Sequence, residues 1–184
     1  MVRVLTAVAA LSLWVSTGAQ AAMAATPPVV GCAAHVEPSI ERFDPERDIV
    51  RGPFALVTVA RDLPRLSRAR YRPSNGRPAG IKLPIGLRAG HRATLSVHPA
   101  QREHVALIHR TDTHGADRVR EGDSAIAFEP CPADTPGFSG GTVGPVTGWA
   151  GALILDGPRC VRLEVRADGK RLRDVRLPLG RRCR

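Results

Sequence analysis

The stretch RCVRLEVR, residues 159–166, most narrows the folds open to this chain. Val161, Leu163 and Val165 alternate with Arg162, Glu164 and Arg166. A period of two puts the apolar set on one face of an extended strand and the charged set on the other. The same rhythm appears in RATLSVH, residues 92–98, where Ala93, Leu95 and Val97 point inward against Thr94 and Ser96. Short apolar segments recur in HVALIHR (104–110), SAIAFEPC (124–131), WAGALIL (149–155) and RLRDVRLPLG (171–180), with Gly, Pro and Asp between them. Strands spaced about 8–15 residues apart and cut by turn residues predict an all-β, antiparallel β-sandwich of immunoglobulin-like or jelly-roll type. No sustained helical period is read after the N-terminal leader.

FALVTVA, residues 54–60, reads as a further strand. RATLSVH and HVALIHR, joined by PAQRE, read as a β-hairpin, and Asp168-Gly169 as a tight hairpin turn. Trp149, the single tryptophan beyond the leader, reads as a core filler near a disulfide. Residues 25–52 are expected to be irregular with at most one short strand, ahead of a β-sandwich domain over 53–184. Within it, residues 61–80 read as a long exposed loop rich in Arg, Pro and Gly.

Residues 1–24 have the order of a secretory signal peptide. Arg3 is the basic start, Val4 to Val15 the apolar core, and Ala19-Gln20-Ala21 and Ala22-Met23-Ala24 offer two small-residue cleavage sites. The apolar run is too short to span a bilayer, and the mature chain offers no second one. The expected location is therefore outside the cytoplasm, with the protein secreted or associated with the cell envelope. The four cysteines, Cys32, Cys131, Cys160 and Cys183, all follow the leader, and an even number in an exported chain predicts two disulfides. Three connectivities are possible. Placing 124–130 antiparallel beside 160–166 favours Cys131 with Cys160, which leaves Cys32 for Cys183.

The formal charge of +10 is almost all arginine, since Lys82 and Lys170 are the only lysines. Aromatic residues make up 4%, which argues against a nucleic-acid partner that would need stacking platforms. The densest basic run holds Arg61, Arg65, Arg68, Arg70, Arg72 and Arg77, the candidate contact for an anionic envelope polymer or lipid surface. His98, His104, His109 and His114 are not spaced to converge on one strand face, so neither a metal site nor a cofactor is assigned.

GFSGG, residues 137–141, is similar to the segment around the nucleophile of trypsin-like proteases, and GCAAHV, residues 31–36, to the segment around their histidine. His35, Asp112 and Ser139 follow the right chain order for a triad. Phe138 stands where that family has Asp, and too little chain precedes His35 to build a first barrel. The α/β-hydrolase elbow needs a helix after its serine, and TVGPVTGWAG is not one. The Gly140-Gly141 pair is read instead as a turn with positive φ. No catalytic residue is assigned; a secreted serine hydrolase using Ser139 is the alternative to a non-enzymatic binding or structural module.

Residues 82–183 resemble a family of small exported proteins of high-GC actinobacteria with no assigned reaction. The segments that carry the likeness are IGLRAGHRATLSV, HVALIHR, AIAFEPC, TGWAGALILDGPRCVRLEV and VRLPLGRRC. The chain departs from the pattern at Trp149-Ala150-Gly151-Ala152, where a double glycine is not kept. The resemblance implies export and a β-sandwich, and it implies no reaction.

Overall fold

The computed structural model describes residues 26–34, 36–69, 71, 79–116, 118–137 and 140–183. Strand β12 (Arg159–Ala167) buries Val161, Leu163 and Val165, as its alternation requires. Strand β7 (Ala93–Val97) buries Ala93, Leu95 and Val97 in the same way and pairs with it antiparallel, Val97 opposite Leu163. Beyond β7 lie β9 (Ala125–Phe128), antiparallel, and β1 (Val29–Val30), parallel to β9. On the other side of β12, β13 (Lys170–Arg171) returns through the Asp168-Gly169 turn, and β14 (Val175–Leu179) pairs with the first half of β12.

A second sheet has the order β2 (Val36–Ile40), β10 (Val146–Trp149), β6 (Ile85–Arg88), β4 (Phe54–Leu56) and β3 (Ile49–Arg51). A third has β5 (Ala79–Lys82), β11 (Ala152–Leu155) and β8 (Val105–Ile108). The described residues form an all-β, sandwich-like fold with one α-helix, and none of the described sheets closes into a barrel. Leu95, Leu87 and Leu153, one from each sheet, meet in a single core.

The second and third sheets are joined through one antiparallel pair of strands that bends, β6 with β10 continuing into β5 with β11. Trp149 lies opposite Ile85 and Ala152 opposite Lys82, with Ala150-Gly151 and Leu83-Pro84 at the bend between. This bend divides the expected single strand 149–155 into β10 and β11. His109 is wedged into the corner. Its imidazole is buried, its Nε2 donates to the Leu83 carbonyl at 2.8 Å, and Leu83 N–H donates to Gly151 O at 2.8 Å. A side chain at Gly151 would meet the imidazole, because an added Cβ would lie 2.1 Å from His109 Cδ2. His109 packs edge-on against Phe128 at 5.5 Å, and Phe128 touches Phe54 and Trp149. Trp149 is fully buried and its Nε1 donates to Gly31 O, beside Cys32, as the reading of a core filler near a disulfide anticipates.

Four expectations are corrected. First, β7 and β8 do not pair; β8 joins β11 instead. The link between them has no glycine for a two-residue hairpin turn. It runs through a 3-10 turn, Pro99–Gln101, that carries the chain from one sheet to another.

Second, the expected strand 54–60 and the start of the expected loop 61–80 give way to a helix. The extended conformation ends at Leu56, and helix α1 (Val59–Arg68) follows. Val59, Leu63 and Leu66 repeat at helical spacing and face the core, while Arg61, Arg65 and Arg68 face outward. Pro64 masks the pattern, since it removes one backbone donor from the middle of the helix. The helix entry is held by Asp48, a buried carboxylate that accepts from Thr58 N–H at 2.7 Å and Asp44 N–H at 2.9 Å.

Third, residues 25–52 are not an irregular preamble, because β1, β2 and β3 each pair with strands of the main body. Pro38 hid β2; the strand lies at a sheet edge and shifts register between Val146 and Gly148. Fourth, the cysteines pair as Cys32–Cys131 and Cys160–Cys183. Strands β9 and β12 are not neighbours. Each is antiparallel to the intervening β7, so they run parallel to one another and Cys131 lies at the opposite end from Cys160. The proposed leader, residues 1–24, lies outside the described residues.

Candidate anion-binding cleft

The alternation that buries Val161 and Leu163 turns Cys160 and Arg162 to the other face of β12. On β14 it buries Val175, Leu177 and Leu179 and turns out Arg176 and Pro178. The register sets Arg162 directly opposite Arg176 and Cys160 opposite Pro178. On the side of β12 away from β14, a side chain takes the place of a strand. Gln101 Nε2 donates to Cys160 O at 2.8 Å, and Arg162 N–H donates to Gln101 Oε1 at 2.8 Å. This extends the β7 ladder past Val97 and holds the start of β12 flat.

After β14 the chain turns at Gly180, and the Cys160–Cys183 disulfide draws the tail back over the sheet. Arg181 and Arg182 are thereby brought to the face that carries Arg162 and Arg176. The cleft so formed encloses about 860 Å³ and is lined by Arg159, Arg162, Arg176, Arg181 and Arg182, with Gln101 and the disulfide. No Asp or Glu occurs among the described residues lining it.

The arginines are not equivalent. Arg159 is paired with Asp156, whose other oxygen contacts His104 Nδ1 at 2.6 Å. Both Nε and an Nη of Arg162 reach Asp174 at 2.7 Å, and Arg171 reaches the same carboxylate at 3.1 Å. Partial burial opposes ionisation of Asp174, yet its bonds to Arg162 and Arg171 hold its carboxyl below the usual range. These acids fix the inner guanidinium groups in place. Arg181 and Arg182 are exposed and have no ion-pair partner among the described residues. Guanidinium stays charged at any ordinary pH and presents a planar fork suited to oxyanions. The arrangement can therefore bind anionic groups.

The basic segment expected to meet an anion is divided. Arg61, Arg65 and Arg68 lie on α1, where Arg61 and Arg65 both contact Asp62, at 3.5 and 3.7 Å. Arg70, Arg72 and Arg77 lie outside the described residues, as do His35, Phe138 and Ser139. Asp112, the third member of the rejected triad, is exposed and paired with Arg110 at 3.1 Å. Gly140 and Gly141 have φ of 90° and 77°, as the turn reading requires. His104 meets Asp156 and His91 meets Asp168, while His109 sits in the core. No group of three or more His, Cys, Asp or Glu that could hold a metal occurs among the described residues. Among the same residues, no helix is long and apolar enough to cross a membrane.

Charge density along the chain does not show the cleft, because its arginines converge across strands. Its signal was present in the outward arginines of 159–166 and in VRLPLGRRC, and it needed the β12–β14 register and the disulfide pairing to be read. Compared with family models, curated proteins and solved structures, the chain finds no match.

Proposed function

We propose that the chain is an exported, non-enzymatic binding module of the cell envelope that holds an anionic component in the arginine cleft on β12, β14 and the tail. The observation that carries this reading is the convergence of five arginines on one open cleft with no acidic residue among its described lining. Export is supported by the signal-like order of residues 1–24 and by two disulfides, which persist in oxidising compartments. Charge in such a cleft acts within about 8 Å at physiological ionic strength, so the contact should be salt-sensitive.

The test is equilibrium binding of the mature protein to purified anionic wall polymer at low and physiological salt. The comparison is with a triple variant, Arg176→Ser, Arg181→Ser and Arg182→Ser. The wild type is expected to bind with an affinity that falls as salt rises, and the variant to bind about tenfold or more weakly. Equal binding by the two proteins would falsify the assignment of the cleft.

A further inference from the structure

A second basic cleft adjoins the first. It encloses about 580 Å³ and is lined by Arg51, Arg173, Asp174 and Arg176, so Arg176 is common to both. Arg51 belongs to β3 of the second sheet. Its Nε donates to Arg173 O at 3.0 Å and one Nη to Val50 O at 2.8 Å, which brings the guanidinium beside Arg173 across the sheet boundary. Burial, and then the neighbouring Arg173 charge, push the Arg51 guanidinium below its ordinary value. Two like charges are thus held together, and an anion between them would relieve the repulsion. The one acid in this cleft, Asp174, is already engaged by Arg162 and Arg171.

Resting on the anion-binding reading above, we infer that the ligand is a linear phosphodiester polymer with small neutral spacers, running from the tail cleft across Arg176 into the cleft of Arg51 and Arg173. The length of the track excludes a single phosphate. From Arg173 to Pro178, the residue opposite Cys160, the chain covers about 17 Å at about 3.3 Å per residue, and the tail that carries Arg181 and Arg182 folds back over that end. The walls exclude a ligand read by its rings. Neither cleft has an aromatic residue among its described lining, so there is no platform for bases or sugar faces. What both offer is a row of guanidinium groups in which Arg173, Arg181 and Arg182 are exposed, and an exposed guanidinium suits the two non-bridging oxygens of a phosphodiester. Binding two linked sites makes the second contact intramolecular, so affinity should climb with chain length until both are spanned.

The experiment titrates the mature protein with glycerol 3-phosphate, short poly(glycerol phosphate) oligomers and long poly(glycerol phosphate). Single-stranded DNA and phosphatidylglycerol vesicles serve as the other arms. Long polymer is expected to bind about tenfold or more tightly than a short oligomer. Arg173→Ser and Arg51→Ser should each lose most of the gain in affinity that the long polymer shows over the short oligomer. Arg173→Ser is the safer variant, because that exposed side chain makes no hydrogen bond within the described fold. Equal affinity for short and long chains, or an unaltered length gain in Arg173→Ser, overturns this inference and leaves the single-cleft reading standing. Tighter binding to DNA or to vesicles than to the long polymer overturns it in favour of those partners. Failure of the wild type to bind any of the five overturns the anion-binding reading itself.

Discussion

His109 shows how one residue can set a condition on the whole fold. With Nε2 donating to Leu83 O, the neutral ring has a bare Nδ1, and that atom is buried without a partner. Burial lowers its pKa to about 4, with the nearby His114 adding to the effect and the Leu83 bond opposing it. Between about pH 6.5 and about pH 4 the unfolded chain takes up a proton that the folded chain refuses. Stability contributed by the neutral ring is complete above about pH 6.5, falls through that window and levels off below it, with a total of about 3 kcal/mol. Urea unfolding at pH 7.0 and 4.5 should show this loss in the wild type and a smaller one in His109→Gln. Identical pH dependence in both proteins would place the sensitivity elsewhere. The sequence showed a histidine on an apolar strand and a glycine at 151. Their contact joins residues forty-two apart, so no local pattern could reveal it.

At the scale of elements, the start of β12 depends on a borrowed partner. Gln101 supplies one donor and one acceptor to the backbone at Cys160 and Arg162, in the place of a paired strand. Gln101→Leu keeps much of the side chain's bulk but leaves both backbone groups without those bonds. The expected loss is about 1–3 kcal/mol in unfolding free energy, with faster amide exchange at Arg162 than in the wild type. Unchanged stability and exchange would mean that solvent can replace the side chain there. The strands with clean alternation, β7 and β12, were legible because one face of each is buried. Strands β8 and β10 are buried at every position and so show no alternation; β8 gave only an apolar run, Thr147 and Gly148 interrupt β10, and their partners could not be inferred. Helix α1 was hidden by Pro64 and by arginines on its outer face, although Val59, Leu63 and Leu66 carry the helical spacing.

At the scale of the whole molecule, the two disulfides have different tasks. Parallel pairing of β1 with β9 sets Val30 beside Phe128, so the chain just beyond each strand brings Cys32 to Cys131, with Cα atoms 5.4 Å apart. That bridge joins residues 99 apart in sequence and should contribute about 4–5 kcal/mol by chain entropy, against about 3 kcal/mol for Cys160–Cys183, which joins residues 23 apart. The Cys32→Ser/Cys131→Ser variant should therefore lose more stability in thermal unfolding. The Cys160→Ser/Cys183→Ser variant should lose more affinity for anionic polymer, because that bridge ties the tail carrying Arg181 and Arg182 to β12. Equal effects of both variants on binding would detach the tail from the site. The sequence by itself determined the all-β class, the buried faces of β7 and β12, the buried tryptophan and the presence of two disulfides. These follow from periodicity, residue type and cysteine count, each of which is local or compositional. Only the tertiary structure decided which strands are neighbours, and with them the cysteine pairing and the arginines that share a cleft. Strand order is set by packing between segments far apart in the chain, and alternation along one strand carries no record of the strand beside it.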